Sequence, residues 1–260
     1  MNPRLQFYRK VIERTILDQN ATILIIAGGL PDKEVFESLK YSNVTISNID
    51  SRLNGVEFSP YKWSYQNAQQ LTFKDNSFDF VVIHAALHHC SSPHQALLEM
   101  YRVAREEIIA FESRDSILMK IFEKLNISQT FEHAAVYANS GKYGGMNNTD
   151  IPNYVYRWTE REVEKTINAF SPFGKNKFSY WYSHDLPRAN KLLKDQFLKS
   201  LLIVLLLPAY KIFTLLFKKQ QNLFAFSIKK FNEKSKLHPW LNRVNGEVIY
   251  SMNWAKEKYK

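Results

Sequence analysis

The chain alternates short unbroken apolar runs with segments whose apolar residues recur every three or four positions. Over 6–17, Tyr8, Val11, Ile12 and Ile16 follow i, i+3, i+4, i+8, one face of a helix. Residues 22–26 (T-I-L-I-I) form a β-branched run with no polar interruption, the pattern of a strand buried on both sides of a parallel sheet. The run ends at Ala27-Gly28-Gly29, and a short helical stretch with Val35, Phe36 and Leu39 follows. Further strands are predicted over 43–50, which ends in Asp50, more weakly over 61–65, over 78–83, which leads into His84, and over 108–111. Between the last two, Ser92 and Gln95 predict a capping box with Pro93 at the first helical position, and Ala96, Leu97, Met100 and Val103 form the apolar face. Thr159 and Glu162 predict a second capping box, before a helix carrying Val163, Ile167 and Phe170. Segments 177–182 and 222–228 read as the last two strands. Seven strands alternating with helices predict an α/β fold with a doubly wound, mostly parallel sheet.

Composition narrows this reading. At 260 residues the chain is one large domain, or one domain with an appendage, and its 45% apolar content excludes a disordered or collagen-like polymer. The single cysteine, Cys90, excludes an intramolecular disulfide or a multi-cysteine zinc site. The first residues lack the apolar run of a signal peptide, which points to the cytoplasm. Charge is unevenly spread: from Arg188 onward there are 15 Lys/Arg against 4 Asp/Glu, a net +11, while residues 1–187 carry a net −1. A near-neutral body with a basic last third suggests an anionic partner surface, membrane or nucleic acid.

In an open α/β sheet, ligands sit outside the carboxyl ends of the strands, where loop backbone and helix N-termini converge. The residues at those ends are therefore the candidates. Gly28-Gly29 permits close approach of a ligand to the backbone, or simply makes a tight turn. Asp50, 21 residues after Gly29, can accept two hydrogen bonds from ribose hydroxyls, or open a turn. His84, His88 and His89 cluster after the fourth strand. The last two are adjacent, and no carboxylate pair nearby in the sequence completes a site, so no metal is expected. Glu112 after the fifth strand is a candidate general base, and Asp115 either joins it or caps the stretch beginning at Ser116.

Two stretches carry a family resemblance. N-A-Q-Q-L-T-F-K-D-N-S-F-D-F-V-V over 67–82 resembles the D-A-x-x-L-P-F-x-D-x-S-F-D-x-V signature of class I S-adenosylmethionine-dependent methyltransferases, of the type 11 kind. Its continuation, Ala86-Leu87-His88-His89 and then A-L-L-E-M-Y-R-V over 96–103, is similar to that family's L-H-H…A-L-x-E-x-x-R-V-L helix. The resemblance covers about 20–115 closely and 155–230 by strand order. It implies a Rossmann-like methyltransferase fold and S-adenosylmethionine as cofactor. Position by position it implies that Ala27, Gly28 and Gly29 lie against the methionine part, that Asp50 holds the ribose, that Asn67 and Ala68 lie beside the adenine, and that His84 begins the loop near the sulfonium. The chain departs from the family in having Ile25 where strand one usually carries an acid, and Asn67 for the usual Asp. Because the sulfonium is itself the electrophile, the protein's task is alignment, exclusion of water and, for an oxygen acceptor, a base, for which His84, His88 and Glu112 are the candidates.

The remaining segments complete the expected organisation, with the methyltransferase-like domain formed by 1–187 and 220–232. A Gly/Asn-rich loop within 126–158 reads as a lid, with Tyr154 and Arg157 in the aromatic stretch behind it as candidate substrate-binding residues. Residues 188–219 read as a basic, apolar helical hairpin inserted before the last strand, broken at Pro208. The apolar run 201–210 is too short to span a bilayer but suited to an anionic membrane surface. Residues 233–260 read as a basic tail. The expected function is methyl transfer, at oxygen, to a small-molecule or lipid-linked acceptor, by a cytoplasmic protein peripheral to the inner face of a membrane. A nucleic-acid methyltransferase, a non-catalytic binding protein of the same fold, and an oligomer are left open.

Overall fold

The computed structural model describes residues 2–184, 197–232 and 234–260. A seven-stranded sheet runs in the order β3-β2-β1-β4-β5-β7-β6. Its strands are β1 (Ile23–Ile26), β2 (Val44–Asn48), β3 (Lys62–Tyr65), β4 (Phe78–His84), β5 (Ala104–Ser113), β6 (Lys177–Ser183) and β7 (Leu223–Lys229). The first five are mutually parallel, and β7 alone runs antiparallel, between β5 and β6. All seven predicted strands are present. The order reverses between β1 and β4, which makes their carboxyl ends the topological switch point.

Successive side chains of β1 enter opposite layers, as the period of two requires. Ile23 and Ile25 pack with Tyr8, Val11 and Ile12 of helix α1 (Pro3–Thr15) and with Val35 and Phe36 of α2 (Leu30–Ser38). Leu24 and Ile26 pack on the other face with Leu97 and Met100 of α3 (Pro93–Val103), Val163 and Ile167 of α6 (Glu160–Phe170), and Phe226. Between α3 and α6 lie the short helices α4 (Ile117–Lys124) and α5 (His133–Ala138). Each buried aliphatic side chain contributes about 1.5–3 kcal/mol relative to exposure.

The local expectations divide. The Thr159–Glu162 capping box forms, with both reciprocal hydrogen bonds. Ser92 does sit at the N-cap of α3 with Pro93 next, but its side chain makes no cap bond; its backbone N–H donates instead to Gln69 Oε1 at 2.6 Å. Ser116, not Asp115, caps α4, accepting from the Met119 N–H at 3.2 Å, while Asp115 pairs with Lys120 at 3.3 Å. The described part of the hairpin expected over 188–219 is one helix, α7 (Phe197–Leu216), that runs through Pro208 rather than breaking at it. Residues 188–196 of that expected hairpin lie outside the described residues. The C-terminal segment is folded: β8 (Leu241–Val244) and β9 (Glu247–Tyr250) pair antiparallel about Asn245-Gly246, and α8 (Met252–Lys258) follows. Both turn residues have positive φ, 51° and 85°, as a two-residue hairpin turn requires.

Candidate functional site

At the switch point the loops after β1 and β4 are shaped by two alanines in the left-handed region, Ala27 (φ 52°) and Ala85 (φ 54°). For a residue with a Cβ this costs about 1–2 kcal/mol, so the surrounding structure must impose it. Gly28 next door is needed for space: a Cβ there would lie 2.8 Å from Ile25 Cγ2 and 2.9 Å from Ile46 Cγ2. These two loops open onto a cavity of about 260 Å³. Four of the expected cofactor-binding residues line it together, Ala27, Asn67, Ala68 and His84, and His89 joins them. Gly28, Gly29 and Asp50 do not line it.

Asp50 is nonetheless engaged. Its carboxylate accepts from Arg52 Nε at 2.9 and 3.1 Å, from Arg52 NH2 at 2.5 Å and from the Arg52 backbone N–H at 3.0 Å. These bonds from Arg52 hold its pKa below the usual carboxylate range. Arg52 in turn lies 4.0 Å over the Tyr143 ring and donates to Asn139 Oδ1, so the acid anchors the segment expected to be a lid. That segment also supplies cavity wall that sequence reasoning missed: Ala135, Gly144, Gly145, Asn147 and Asn148. Asn147 Oδ1 accepts from Gln69 Nε2 and from the Ser91 N–H, both at 3.0 Å. A wider open hollow of about 690 Å³ lies on His133, Val136, Tyr137 and Pro152, away from the strand ends.

His84 stacks on Tyr8 of α1, ring centroids 4.3 Å apart, and its Nδ1 is 3.7 Å from Asp32 Oδ1. Asp32 was not singled out in the sequence. As the third residue of α2 it accepts from the Gly29 N–H at 2.9 Å through Oδ2, and its Oδ1 is buried without a hydrogen-bond partner.

One 3-10 turn further on, His88 and Glu112 form a buried pair, with His88 Nδ1 2.6 Å from Glu112 Oε2. Glu112 Oε1 accepts from the Leu87 N–H at 2.8 Å, which fixes the carboxylate. On its other side His88 Nε2 lies 3.2 Å from Glu132, whose Oε2 is also 3.4 Å from His89 Nε2. Burial alone would lower the His88 pKa, but the two carboxylates outweigh it and push it up to about 9. His89 moves down, through burial and the neighbouring His88. The carboxylates judged absent from the sequence neighbourhood are thus supplied from β5 and from the segment before α5.

Tyr154 and Arg157 do not reach the cavity. Tyr154 is half exposed and packs on Phe131. Arg157 pairs with Glu123 and donates to Ser128 Oγ at 2.9 Å and to the Gln129 carbonyl at 2.8 Å, so its outer nitrogens are spent on tying down 123–129. Asn153, just before Tyr154, donates to the His88 carbonyl at 3.0 Å.

Residues 37–110 match the family profile described as a methyltransferase domain. No curated protein matches the chain. Among solved structures, one chain of a Haloferax volcanii complex between a methyltransferase and the Trm112 methyltransferase activator is 10% identical, with a TM-score of 0.56 over 89% of this chain and 91% of that one. A Pyrococcus horikoshii OT3 protein is 11% identical, TM-score 0.53, over 88% and 90%. The [4+2]-cyclase SpnF is 15% identical, TM-score 0.51, over 87% and 81%. The domain match and the sheet order bear out the resemblance: the chain has the Rossmann-like fold of the class I methyltransferases.

Proposed function

We propose that this protein transfers a methyl group from S-adenosylmethionine to an oxygen of a small-molecule or lipid-linked acceptor. The observation that carries the reading is the convergence of Ala27, Asn67, Ala68 and His84 on one cavity at the β1/β4 switch point, with the buried His88–Glu112 pair on the next turn. The cavity suits the cofactor in its chemistry. The buried Asp32 carboxylate, beside His84 and Tyr8 and outside the cavity wall, adds negative charge near the first loop, Asn67 offers an amide to an adenine edge, and Ala68 leaves room for its face. In this reading Asp50, which stands outside the cavity lining, takes ribose hydroxyls once Arg52 yields part of its carboxylate. When bound, the cofactor supplies a methyl group already activated on a sulfonium. The protein's residues then orient the acceptor, with His88 held by Glu112, and exclude water beneath the 126–158 segment. At about 260 Å³ the cavity is just below the usual 300–1,000 Å³ of small-molecule sites, so that segment moves to admit cofactor and acceptor.

An amphiphilic acceptor fits a second surface, formed by α4 and α7. Ile117 and Ile121 of α4, Leu125 just after it, and Leu205, Ile212, Leu215 and Leu216 of α7 are all exposed. The two helices meet where Phe122 faces Tyr210, ring centroids 5.8 Å apart. Lys120, Lys124, Lys211, Lys218 and Lys219 are exposed on the same two helices and the turn after them. Apolar bulk with a cationic edge suits an anionic bilayer interface, and supports the reading of a protein peripheral to the inner face of a membrane. Among the described residues no helix is long and apolar enough to cross one.

SpnF supports one rival, a non-methylating reaction on this fold, because a fold alone does not fix chemistry. Calorimetric titration with S-adenosylmethionine and S-adenosylhomocysteine tests the reading. Folded protein that gives no binding heat at millimolar cofactor refutes it, and turnover without release of S-adenosylhomocysteine favours the rival.

A further inference from the structure

We propose that His88, His89 and Glu132 form a divalent-metal site with zinc-like ligand chemistry beside the cavity, and that Glu112 is the outer carboxylate that orients His88. The inference rests on the functional reading above and deepens it, by naming how an oxygen acceptor is activated. The 3-10 turn Leu87–His89 brings two sequence-adjacent imidazoles to one side, with centroids 4.6 Å apart and planes inclined by 37°. Glu132 arrives from the segment before α5, its backbone N–H donating to the Asn153 carbonyl at 3.0 Å, and its Oε2 stands 3.2 Å from His88 Nε2 and 3.4 Å from His89 Nε2. One donor atom from each of the three residues lies within 4.8 Å of the others. Ligands at 2.0–2.1 Å on the corners of a tetrahedron are separated by about 3.4 Å. The two spacings from Glu132 already stand near that value and the third is within 4.8 Å, so an ion requires the two imidazoles to adjust.

The second observation is independent of the ligand spacing. A metal-bound imidazole usually donates its other N–H to a carboxylate, which fixes tautomer and ring orientation. Glu112 provides this on His88 Nδ1 at 2.6 Å, and is itself held by the Leu87 N–H. The side chain of Glu112 is fully buried, whereas those of Glu132 and His89 are about 30% and 27% exposed, so the open coordination position faces outward. His89 lines the cavity, and Ala135, Gly144 and Gly145 line it with no ionisable side chain to compete. Three protein ligands with a fourth place open is the arrangement of catalytic rather than structural zinc. Zinc there would lower the pKa of an acceptor hydroxyl bound at the open position, its proton leaving to solvent.

The test is made on full-length protein stripped with chelator and then titrated calorimetrically with zinc chloride, with metal content measured after gel filtration. One zinc per chain is expected for the wild type. Glu112→Gln should weaken zinc 10–100-fold, the usual cost of losing an outer carboxylate, while retaining the Leu87 bond through its amide oxygen. His89→Ala and Glu132→Gln should weaken it further, with circular dichroism confirming that each variant is folded. Wild-type protein without stoichiometric zinc, or zinc retained equally by folded His89→Ala and Glu132→Gln, overturns the proposal. Parallel titration with S-adenosylmethionine separates the two readings. Zinc bound without cofactor leaves the metal site standing and removes the methyltransferase reading, and cofactor bound without zinc does the reverse.

Discussion

The ion pair between Arg114 and Glu160 joins the end of β5 to the start of α6, and replacing Glu160 by Gln tests how much that junction contributes. Arg114 NH2 and Nε lie 2.6 and 3.2 Å from the two carboxylate oxygens, and the Tyr182 hydroxyl donates to one of them at 2.5 Å. Both charged side chains are nearly buried. Burial opposes the charge on Glu160, but Arg114 and Tyr182 outweigh it and bring its pKa from 4.5 to about 2. A depression of that size corresponds to about 3 kcal/mol of stability in the ionised form. The other route to the number agrees. Removing one partner of a buried pair costs about 3–5 kcal/mol, at the low end here because Arg114 still donates to the Asp115 and Lys219 carbonyls. At about 2–4 °C per kcal/mol for a chain of this size, Glu160→Gln should melt roughly 6–12 °C below wild type at pH 7. Because the folded pKa is the lower one, the contribution is complete above pH 4.5 and lost as pH falls towards 2. The gap between variant and wild type in urea titrations should therefore narrow over that interval and close near pH 2. A gap under about 0.5 kcal/mol at pH 7, or one that stays constant down to pH 3, refutes the reasoning.

The other expectations are briefer. Asp50→Ala should weaken S-adenosylmethionine binding by about 1.5–3 kcal/mol, the scale of a charge-assisted hydrogen bond; equal affinity by calorimetry would remove the acid from the site. A Cβ on Gly145 would stand 1.9 Å from the Ile151 carbonyl oxygen, a backbone atom that cannot yield, so Gly145→Ala should speed limited proteolysis within 139–151 and weaken cofactor binding, and an unchanged digestion rate would count against it. Gly28→Ala meets two buried methyl groups and should cost about 1–3 kcal/mol in urea unfolding, the range for an overpacked core; a loss under 0.5 kcal/mol would show that Ile25 and Ile46 move aside. Leu205→Ser with Phe213→Ser, both at exposed positions, should leave the melting temperature unchanged but abolish co-sedimentation with anionic liposomes at low salt, and wild-type protein that stays in the supernatant with anionic and neutral lipid alike would end the membrane reading.

The strands were legible because a strand covered on both faces has no polar side to interrupt its apolar run, and β1, β4 and β7 are of that kind. The beginning of β5 was missed because the exposed Arg105 and Glu106 fall in a register shift between the pairs Phe78–Ala104 and Phe80–Glu107, with Arg105 reaching Asp79. Asn245-Gly246 was a readable hairpin signal, masked by the surrounding lysines that suggested only a basic tail. Local capping patterns gave the right neighbourhood and sometimes the wrong atom: Ser92 is the N-cap of α3, but Gln69 rather than Gln95 accepts from its backbone N–H. In the site, residues at strand ends were findable because topology places them. Glu132 and Asp32 were not. Glu132 meets His88 across 44 residues, and Asp32 reaches His84 across more than 50, through contacts that no local pattern encodes.

The antiparallel β7 has a consequence for how such a molecule acquires new specificity. Ser183 at the end of β6 pairs with Leu223 at the start of β7, and Leu223 also pairs with Ser113 at the end of β5. Whatever the chain places between β6 and β7 therefore leaves and re-enters the sheet at the edge where β5 ends, with both attachment points held by strand pairing. Length and composition can change there without altering the register of a single strand. The interval works as a graft site: exchanging 185–222 for the corresponding interval of another protein of this fold would replace the α7 surface and leave the strand ends that build the cavity intact.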